Sequence, residues 1–277
     1  MLRSTLQPLI PAIAAAIALS AVANGAPAPR QLLSESSLTY VADVVVEDIT
    51  QIRVSYSTSG AMVGGTIFQN DSIKEAPGVL FLHDGRDGVD EDVARRCRDL
   101  AEMGFVVFAP DYKGGALGST TVTEQELNSV LDATKALASH PRVIENRIGL
   151  MGTSHGGYLA LRAAAEAPGQ WRAVVQASGA IDVPSTNKRL NTPVLLQHGW
   201  KDETVLLKHA NHLDATLRRA GNSCELKEYT MLPHNLWFWE GRNLGTDQVN
   251  QAQWAWEDCT KFLSSKLQLS TATGNTR

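Results

Sequence analysis

Hydrophobic and polar residues follow two alternating patterns along most of the chain. Short apolar runs, rich in Val, Leu, Ile and Phe, have the composition of buried strands, and the longer segments between them repeat apolar residues at helical spacing. The predicted strands are residues 38–49, 51–56, 62–68, 78–82, 105–109, 147–151, 173–176, 193–197 and 225–231, and the predicted helices are residues 90–103, 122–140, 158–165, 206–217 and 250–267.

The order of these elements predicts the fold class. The first two strands are expected to be antiparallel, and the third run to be a further strand with a bulge at Gly64-Gly65. Strands and helices alternate regularly after residue 78, which predicts an α/β fold with a mainly parallel sheet covered by helices on both faces. Catalytic groups in such a sheet are expected in the loops at the carboxyl ends of the strands.

The two ends of the chain depart from this alternation. Residues 1–23 have a positively charged start and an apolar run that ends in Ala-Val-Ala, as in a secretory signal peptide. A membrane anchor is the alternative, but two prolines and the short apolar run disfavour a spanning helix. We therefore expect cleavage, export to the periplasm or the exterior, and no stable membrane insertion. The expected segments are a signal peptide at 1–23, a leader at 24–37, one folded domain at 38–268 and a disordered tail at 269–277.

Composition narrows the choice of partners and cofactors. The chain has 277 residues, 43% of them hydrophobic, which suits one globular domain with a sizeable core. Its formal net charge is −4 and it has no basic blocks, so nucleic acid is not an expected partner. Cys97, Cys224 and Cys259 have no zinc-site spacing. Cys97 and Cys259 lie on the apolar faces of predicted helices and are expected to be buried free thiols, although a single disulfide between two of the three remains an open alternative. We predict no metal and no cofactor.

One strand-to-helix junction carries a motif with chemical meaning, Gly152-x-Ser154-x-Gly156. A strand that turns at once into a helix holds the central serine in a strained conformation, and glycines are needed where side chains would collide with backbone. The serine hydroxyl then lies at a helix N-terminus, where the dipole favours negative charge. Ser154 is therefore the candidate nucleophile. The alternative is a glycine-rich turn in which Ser154 only caps the helix.

A serine nucleophile needs a base, and that base needs a third group to orient it. His209 and His212 lie three residues apart on a predicted helix, where solvent exposure is the ordinary expectation. His234 instead follows a predicted strand, in a loop at the carboxyl edge of the sheet, and is the candidate base. Asp202 follows the preceding parallel strand and is the candidate acid.

The identity of the acid stays open between neighbouring carboxylates. Glu203 is the main rival and Asp182, after the strand before, is a weaker one. Asp202 could also serve only as the N-cap of the following helix, because Asp is favoured at that position.

Further residues are expected to line the site. Acyl transfer needs donors to the oxyanion, and the backbone N–H groups of His155 and Gly85 are the candidates. Five other residues in loops at the same edge are candidate substrate contacts. They are Asp84, Tyr112, Lys113, Trp200 and Trp237.

These segments together resemble the α/β-hydrolase superfamily, and within it the branch shared by dienelactone hydrolases and prolyl-oligopeptidase-like catalytic domains. The resemblance covers about residues 75–265 in order. The matching pieces are Leu82-His83-Asp84-Gly85, Ala109-Pro110-Asp111-Tyr112, Gly152-Thr153-Ser154-His155-Gly156-Gly157, Gln197-His198-Gly199-Trp200-Lys201-Asp202 and Leu232-Pro233-His234. It implies an α/β-hydrolase fold of about eight strands, with Ser154 as nucleophile, Asp202 as acid and His234 as base. Dienelactone hydrolases have Cys at the position of Ser154.

The resemblance also implies an activity. A serine hydrolase with an acyl-enzyme intermediate, acting on a small-molecule carboxylic ester, is the leading expectation. Only residues 179–191 lie where many relatives insert a helical lid, so an open cleft without a large lid is expected. A serine peptidase or aminopeptidase acting on short peptides is the alternative. A lactone hydrolase and a non-catalytic binding protein are two further alternatives.

Overall fold

Nine strands, named in chain order, form one sheet in the part of the chain that the structure, a computed structural model, describes. The described residues are 38–46, 48–84, 88–112, 121–179, 188–239 and 245–269. The strands are β1 (Thr39–Val46), β2 (Ile49–Thr58), β3 (Ala61–Asn70), β4 (Ala76–Leu82), β5 (Val106–Pro110), β6 (Val143–Thr153), β7 (Ala173–Ala177), β8 (Val194–Gly199) and β9 (Cys224–Tyr229). The helices are α1 (Glu91–Glu102), α2 (Glu124–Ala138), α3 (His155–Glu166), α4 (Leu207–Arg219) and α5 (Thr246–Leu267), with a 3₁₀ turn at Leu236–Phe238.

The sheet has the order β1-β2-β3-β5-β4-β6-β7-β8-β9. The first three strands form an antiparallel meander, β3 pairs with β5 antiparallel, and every later pairing is parallel. Each residue of β4, β5, β7 and β8 is buried, which accounts for their continuous apolar runs. The predicted mainly parallel sheet is confirmed, with nine described strands where about eight were expected.

Helices cover both faces of this sheet and bury a separate core on each. Leu127 of α2, Leu159 of α3 and Leu213 of α4 belong to one core. Val93 of α1 and Leu263 of α5 belong to the other. The prediction of helices on both faces is confirmed. With helices on both faces, the carboxyl edge of the parallel strands is left for a site.

The bulge expected at Gly64-Gly65 is wrong. The β2–β3 ladder runs without a register shift from the Ile49–Asn70 pair to the Thr58–Ala61 pair. The glycines are needed for a different reason, which is close approach. A Cβ at Gly65 would lie 2.4 Å from the Phe108 ring on the neighbouring strand β5. The requirement therefore comes from a residue more than 40 positions away, not from the local strand.

The three cysteines are buried and free. Burial raises the pKa of each thiol, which keeps all three protonated and unreactive. The expectation of buried thiols is therefore confirmed, and the open question of a disulfide is closed for this structure. Within the described ranges, no helix is both long and apolar enough to cross a bilayer. The proposed signal peptide, the leader up to residue 37 and most of the proposed tail lie outside those ranges.

Acidification is expected to destabilise the fold in part through His140. Burial, and secondarily the charge of Arg142, lower the pKa of His140 to about 4. The unfolded chain titrates near the ordinary value of 6.5, so between these values it binds more protons than the folded chain. The contribution of His140 to stability is therefore complete above pH 6.5 and is lost as the pH falls toward 4.

The variant His140→Asn isolates this effect. The ring Nδ1 accepts a hydrogen bond from the backbone N–H of Arg142 at 3.3 Å, and an asparagine oxygen can accept the same bond without titrating. We expect the free energy of unfolding of the wild type to fall by about 2 kcal/mol more than that of the variant across this pH interval. Urea denaturation at several pH values measures the difference. Parallel pH dependences for the two proteins would contradict the assignment.

Candidate active site

The junction between β6 and α3 forms the sharp turn that the glycine motif predicts. Ser154, between them, has φ 53° and ψ −121°, a conformation that costs free energy for a residue with a Cβ. Gly152 and Gly156 make the turn sterically feasible. A Cβ at Gly152 would lie 2.3 Å from the carbonyl oxygen of Gly156, and one at Gly156 would lie 2.3 Å from that of His83. The backbone N–H of Ser154 donates to Ala177 O at 2.8 Å, which ties the turn to β7.

Three side chains from distant parts of the sequence form a hydrogen-bonded chain at this turn. His234 Nε2 lies 2.8 Å from Ser154 Oγ, and His234 Nδ1 lies 2.8 Å from Asp202 Oδ2. Because a carboxylate only accepts, the Nδ1 atom carries the proton, and Nε2 of the neutral ring accepts from the serine hydroxyl. The structure thus brings together the predicted nucleophile, base and acid. The arrangement can take the hydroxyl proton while Oγ attacks an electrophile.

Asp202 is oriented by its own backbone surroundings. Its side chain is fully buried, and Oδ1 accepts from the backbone N–H groups of Thr204 at 3.0 Å and Val205 at 2.8 Å. These bonds offset part of the cost of burying the carboxylate and leave Oδ2 directed at His234.

The alternatives to Asp202 as the acid were Glu203, Asp182 and a role for Asp202 as a helix cap only. Glu203 is exposed, in contrast to the buried Asp202, and Asp182 lies outside the described residues. The N-cap of α4 is Leu206, so Asp202 does not cap that helix.

A second histidine lies beneath the carboxylate. His198 is fully buried, and its Nε2 donates to Val205 O at 2.7 Å and lies 3.4 Å from Asp202 Oδ2. Burial lowers the pKa of His198 despite the nearby carboxylate, so the ring is neutral at ordinary pH. His198 therefore packs against the predicted acid without adding a charge.

A stacking contact between two rings packs against the loop after β4. The ring of His83 is buried and stacks on that of Tyr112 with 4.3 Å between centroids, and the Tyr112 hydroxyl donates to the backbone carbonyl of His83. Tyr112 is only 2% exposed, so its position does not fit the expected contact with substrate. Gly85 and Lys113, the expected oxyanion donor and substrate contact, lie outside the described residues.

His155, whose backbone N–H is the other expected oxyanion donor, is the first residue of α3. Its side chain is buried, and its Nε2 lies 2.8 Å from Oε1 of the buried Glu126. The other carboxylate oxygen of Glu126 accepts from the backbone N–H and the hydroxyl of Thr123, in the capping box that begins α2. The Glu126 carboxylate thus connects the start of α2 to His155, the residue directly after Ser154. Sequence reasoning missed Glu126, although a Thr-x-x-Glu capping signal marks it.

The loop that carries His234 is fastened on its inner side by buried polar contacts. Arg96 of α1, only 2% exposed, donates from Nε and Nη2 to the carbonyl of Trp237. The Trp237 indole N–H donates to Gln197 Oε1 at 2.9 Å. The indole of Trp239 donates to the carbonyl of His234 itself at 2.6 Å. These bonds limit the freedom of His234, the predicted base.

Two aromatic residues expected at the substrate are placed differently. Trp237 is fully buried and packs edge-on against Phe81 and Trp256, a position that does not fit the expected contact with substrate. Trp200 is 56% exposed, and its indole donates to Glu228 Oε2 at 2.7 Å. Proximity in sequence to the predicted acid and base could not distinguish these two environments.

Asn235 was also missed from the sequence. It directly follows His234 and has φ 60° and ψ 53°, a left-handed conformation that Asn tolerates better than most residues. Its Oδ1 accepts from Thr153 Oγ1 at 3.2 Å, and its Nδ2 donates to Asp84 Oδ2 at 3.1 Å. Asp84, expected at the substrate, is half-buried and makes this contact. No group of three or more His, Cys, Asp or Glu side chains in the described ranges could hold a metal ion.

The sheet order, the strained serine at a strand–helix junction and the histidine and aspartate beside it define a protein of the α/β-hydrolase class. The family of dienelactone hydrolases matches residues 63–267. The chain belongs to the dienelactone hydrolase family. The resemblance inferred from the sequence motifs is therefore confirmed.

Individual relatives include both hydrolase types considered above. The uncharacterized peptidase YtmA of Bacillus subtilis is 26% identical over 217 residues, covering 65% of this chain and 84% of that protein. The solved structure of a putative dienelactone hydrolase from Klebsiella pneumoniae has a TM-score of 0.67 at 19% identity, covering 78% of this chain and 98% of that one. A cold-adapted esterase from an Arctic intertidal metagenomic library has a TM-score of 0.63 at 16% identity, covering 83% and 99%. At these identities the structures show the fold alone, which is the α/β-hydrolase fold.

Proposed function

We propose that the protein hydrolyses carboxylic esters through an acyl-enzyme on Ser154. The observation that carries the proposal is the unbroken chain of two 2.8 Å contacts from Ser154 Oγ through His234 to the buried Asp202. The strained backbone at Ser154 supports it, because strain of this kind is characteristic of functional residues.

The reaction proceeds in two halves. In the first, Oγ of Ser154 bonds to the carbonyl carbon of the ester while its proton passes to His234 Nε2. The bond to the alkoxy oxygen then breaks, and His234 returns the proton to the departing alcohol. In the second half, water attacks the acyl-enzyme with His234 as base, and Ser154 is released with the carboxylic acid. Asp202 holds the ring in the required tautomer and stabilises its positive charge while the proton is bound.

The developing oxyanion is stabilised at the start of α3. The first N–H groups of a helix lack partners within the helix, and the dipole there favours negative charge. The backbone N–H of His155 is the donor we assign, with its residue held in place through Glu126. A preorganised donor of this type contributes about 3–4 kcal/mol to stabilisation of the transition state.

A serine peptidase is the second candidate, since the relative YtmA is described as an uncharacterized peptidase. Esters and amides pass through the same type of tetrahedral intermediate, so the triad geometry does not separate them. What separates them is the leaving group. An amide nitrogen must be protonated as it departs, and a peptidase must also bind the chain on both sides of the bond.

A substrate panel tests the proposal. We expect p-nitrophenyl acetate, butyrate and octanoate to be turned over with kcat/KM values at least about tenfold above those of aminoacyl and dipeptidyl p-nitroanilides. The two series release chromophores that are followed in the same way, so acyl and leaving groups are compared directly. Anilide turnover that exceeds ester turnover would favour the peptidase instead. No turnover in either series, together with no labelling by a fluorophosphonate, would contradict both.

A further inference from the structure

The side chain of Asn235 connects three segments that must keep fixed positions relative to one another in the proposed reaction. Thr153 immediately precedes the nucleophile, Asp84 lies in the loop after β4, and Asn235 itself immediately follows the base. The two partners are 82 and 151 positions away in sequence. We propose that Asn235 is a positioning residue, whose amide holds His234 over Ser154 by tying its loop to β6 and to the loop after β4. The inference rests on the proposed function.

The orientation of the amide is determined by its two partners. The carboxylate of Asp84 can only accept, so the NH₂ group of Asn235 faces it. The amide oxygen then accepts a hydrogen bond from the Thr153 hydroxyl. The opposite orientation would place the amide oxygen against a carboxylate oxygen. The bond to Asp84 is also charge-assisted, which makes it the stronger of the two.

The topology explains why the loop needs an anchor at this point. His234 follows β9, whereas Ser154 follows β6, and β7 and β8 lie between them in the sheet. At the usual spacing of strands the loop must reach across about 14 Å. The contacts of Arg96 and Trp239 fasten later parts of the loop and the His234 carbonyl. The amide of Asn235 adds contacts on the nucleophile side, besides the bond between His234 and Ser154.

The left-handed backbone of Asn235 permits a clean deletion of its side chain. Glycine adopts φ 60° without strain, so Asn235→Gly removes the amide and leaves the backbone conformation accessible. We expect kcat for a p-nitrophenyl ester to fall by about 10- to 100-fold, because small displacements of a catalytic group have effects of this size. KM should change by less than about threefold, since the loss concerns the reaction step and not binding.

The matched control is Asn191→Gly. Asn191 also has a left-handed backbone, with φ 54°, but is exposed and away from the residues of the proposed triad in sequence. It should retain wild-type kcat, KM and melting temperature. The rate of Ser154 labelling by a fluorophosphonate gives a second readout that does not depend on the choice of substrate.

An exchange of the two partners tests the bond itself. Asn235→Asp alone places a second carboxylate opposite that of Asp84 and should impair the enzyme at least as much as Asn235→Gly. The double variant Asp84→Asn with Asn235→Asp restores one donor and one acceptor, and still offers Thr153 an acceptor. The kcat of the double variant should be at least about tenfold higher than that of Asn235→Asp. Circular dichroism and melting temperatures identify any variant that fails to fold.

The outcomes separate this inference from the proposed function. Labelling of Asn235→Gly within about twofold of wild type, or a double variant no faster than Asn235→Asp, overturns the positioning role while leaving the serine hydrolase proposal intact. If Asn235→Gly does not fold, Thr153→Val, which removes only the donor to the amide oxygen, must slow labelling for the inference to stand. Wild type that is not labelled at all contradicts the proposed function instead.

Discussion

Ser154→Ala is expected to lower kcat for p-nitrophenyl acetate by about 10⁴-fold or more and to abolish labelling by a fluorophosphonate. Only the hydroxyl group is removed, and the backbone of Ala can occupy the same strained conformation at a similar cost in free energy. The loss should fall almost entirely on kcat. Some acceleration over water should remain, because the donors at the start of α3 and the rest of the binding site stay in place.

Ser178→Ala is the matched control for this variant. Ser178 follows β7 at the same edge of the sheet, is fully buried and also has a left-handed backbone, with φ 50°. Among the residues that the structure describes, its hydroxyl has no hydrogen-bond partner, so removing it breaks no hydrogen bond within that part of the chain. Turnover and labelling should stay within about twofold of wild type. Labelling that survives in Ser154→Ala would reject Ser154 as the nucleophile, whatever the fate of the control.

Local sequence was enough to predict the parts of the site that depend on neighbouring residues. The turn around Ser154 needs small residues within two positions on either side, so its glycines appear as a recognisable motif. Asp202 and His234 were predictable because each follows a strand whose apolar run is visible in the sequence. The parallel arrangement of those strands then brings their ends to one edge.

The features that could not be predicted depend on contacts between distant segments. The bridge from Asn235 to Asp84 spans 151 positions, and no spacing rule connects a residue after β9 with a loop after β4. Trp237 was assigned to the substrate because it is near His234, yet its ring faces the core beneath the loop. Gly65 was interpreted as a bulge, whereas the Phe108 ring on a neighbouring strand is what excludes a side chain there.

Asp202→Asn is expected to lower kcat by about 10³- to 10⁴-fold. The backbone N–H groups of Thr204 and Val205 require an acceptor, so they orient the new amide with its oxygen toward them. Its NH₂ group then faces His234 Nδ1, which must become the acceptor. The ring proton is forced onto Nε2, and that nitrogen can no longer take the proton of Ser154. The fold should be retained, because both backbone bonds persist and Asn has nearly the same shape.

Glu203→Gln is the control, since it makes the same chemical change on the neighbouring side chain. Glu203 is exposed, so its substitution should leave kcat within about twofold of wild type. Steady-state kinetics and melting temperatures of the two variants decide between the two carboxylates. A larger loss of kcat in Glu203→Gln than in Asp202→Asn would show that Glu203, and not Asp202, is the acid. Loss in Asp202→Asn alone, with an unchanged melting temperature, would mean that a buried carboxylate acts on the reaction through the tautomer of the imidazole it holds.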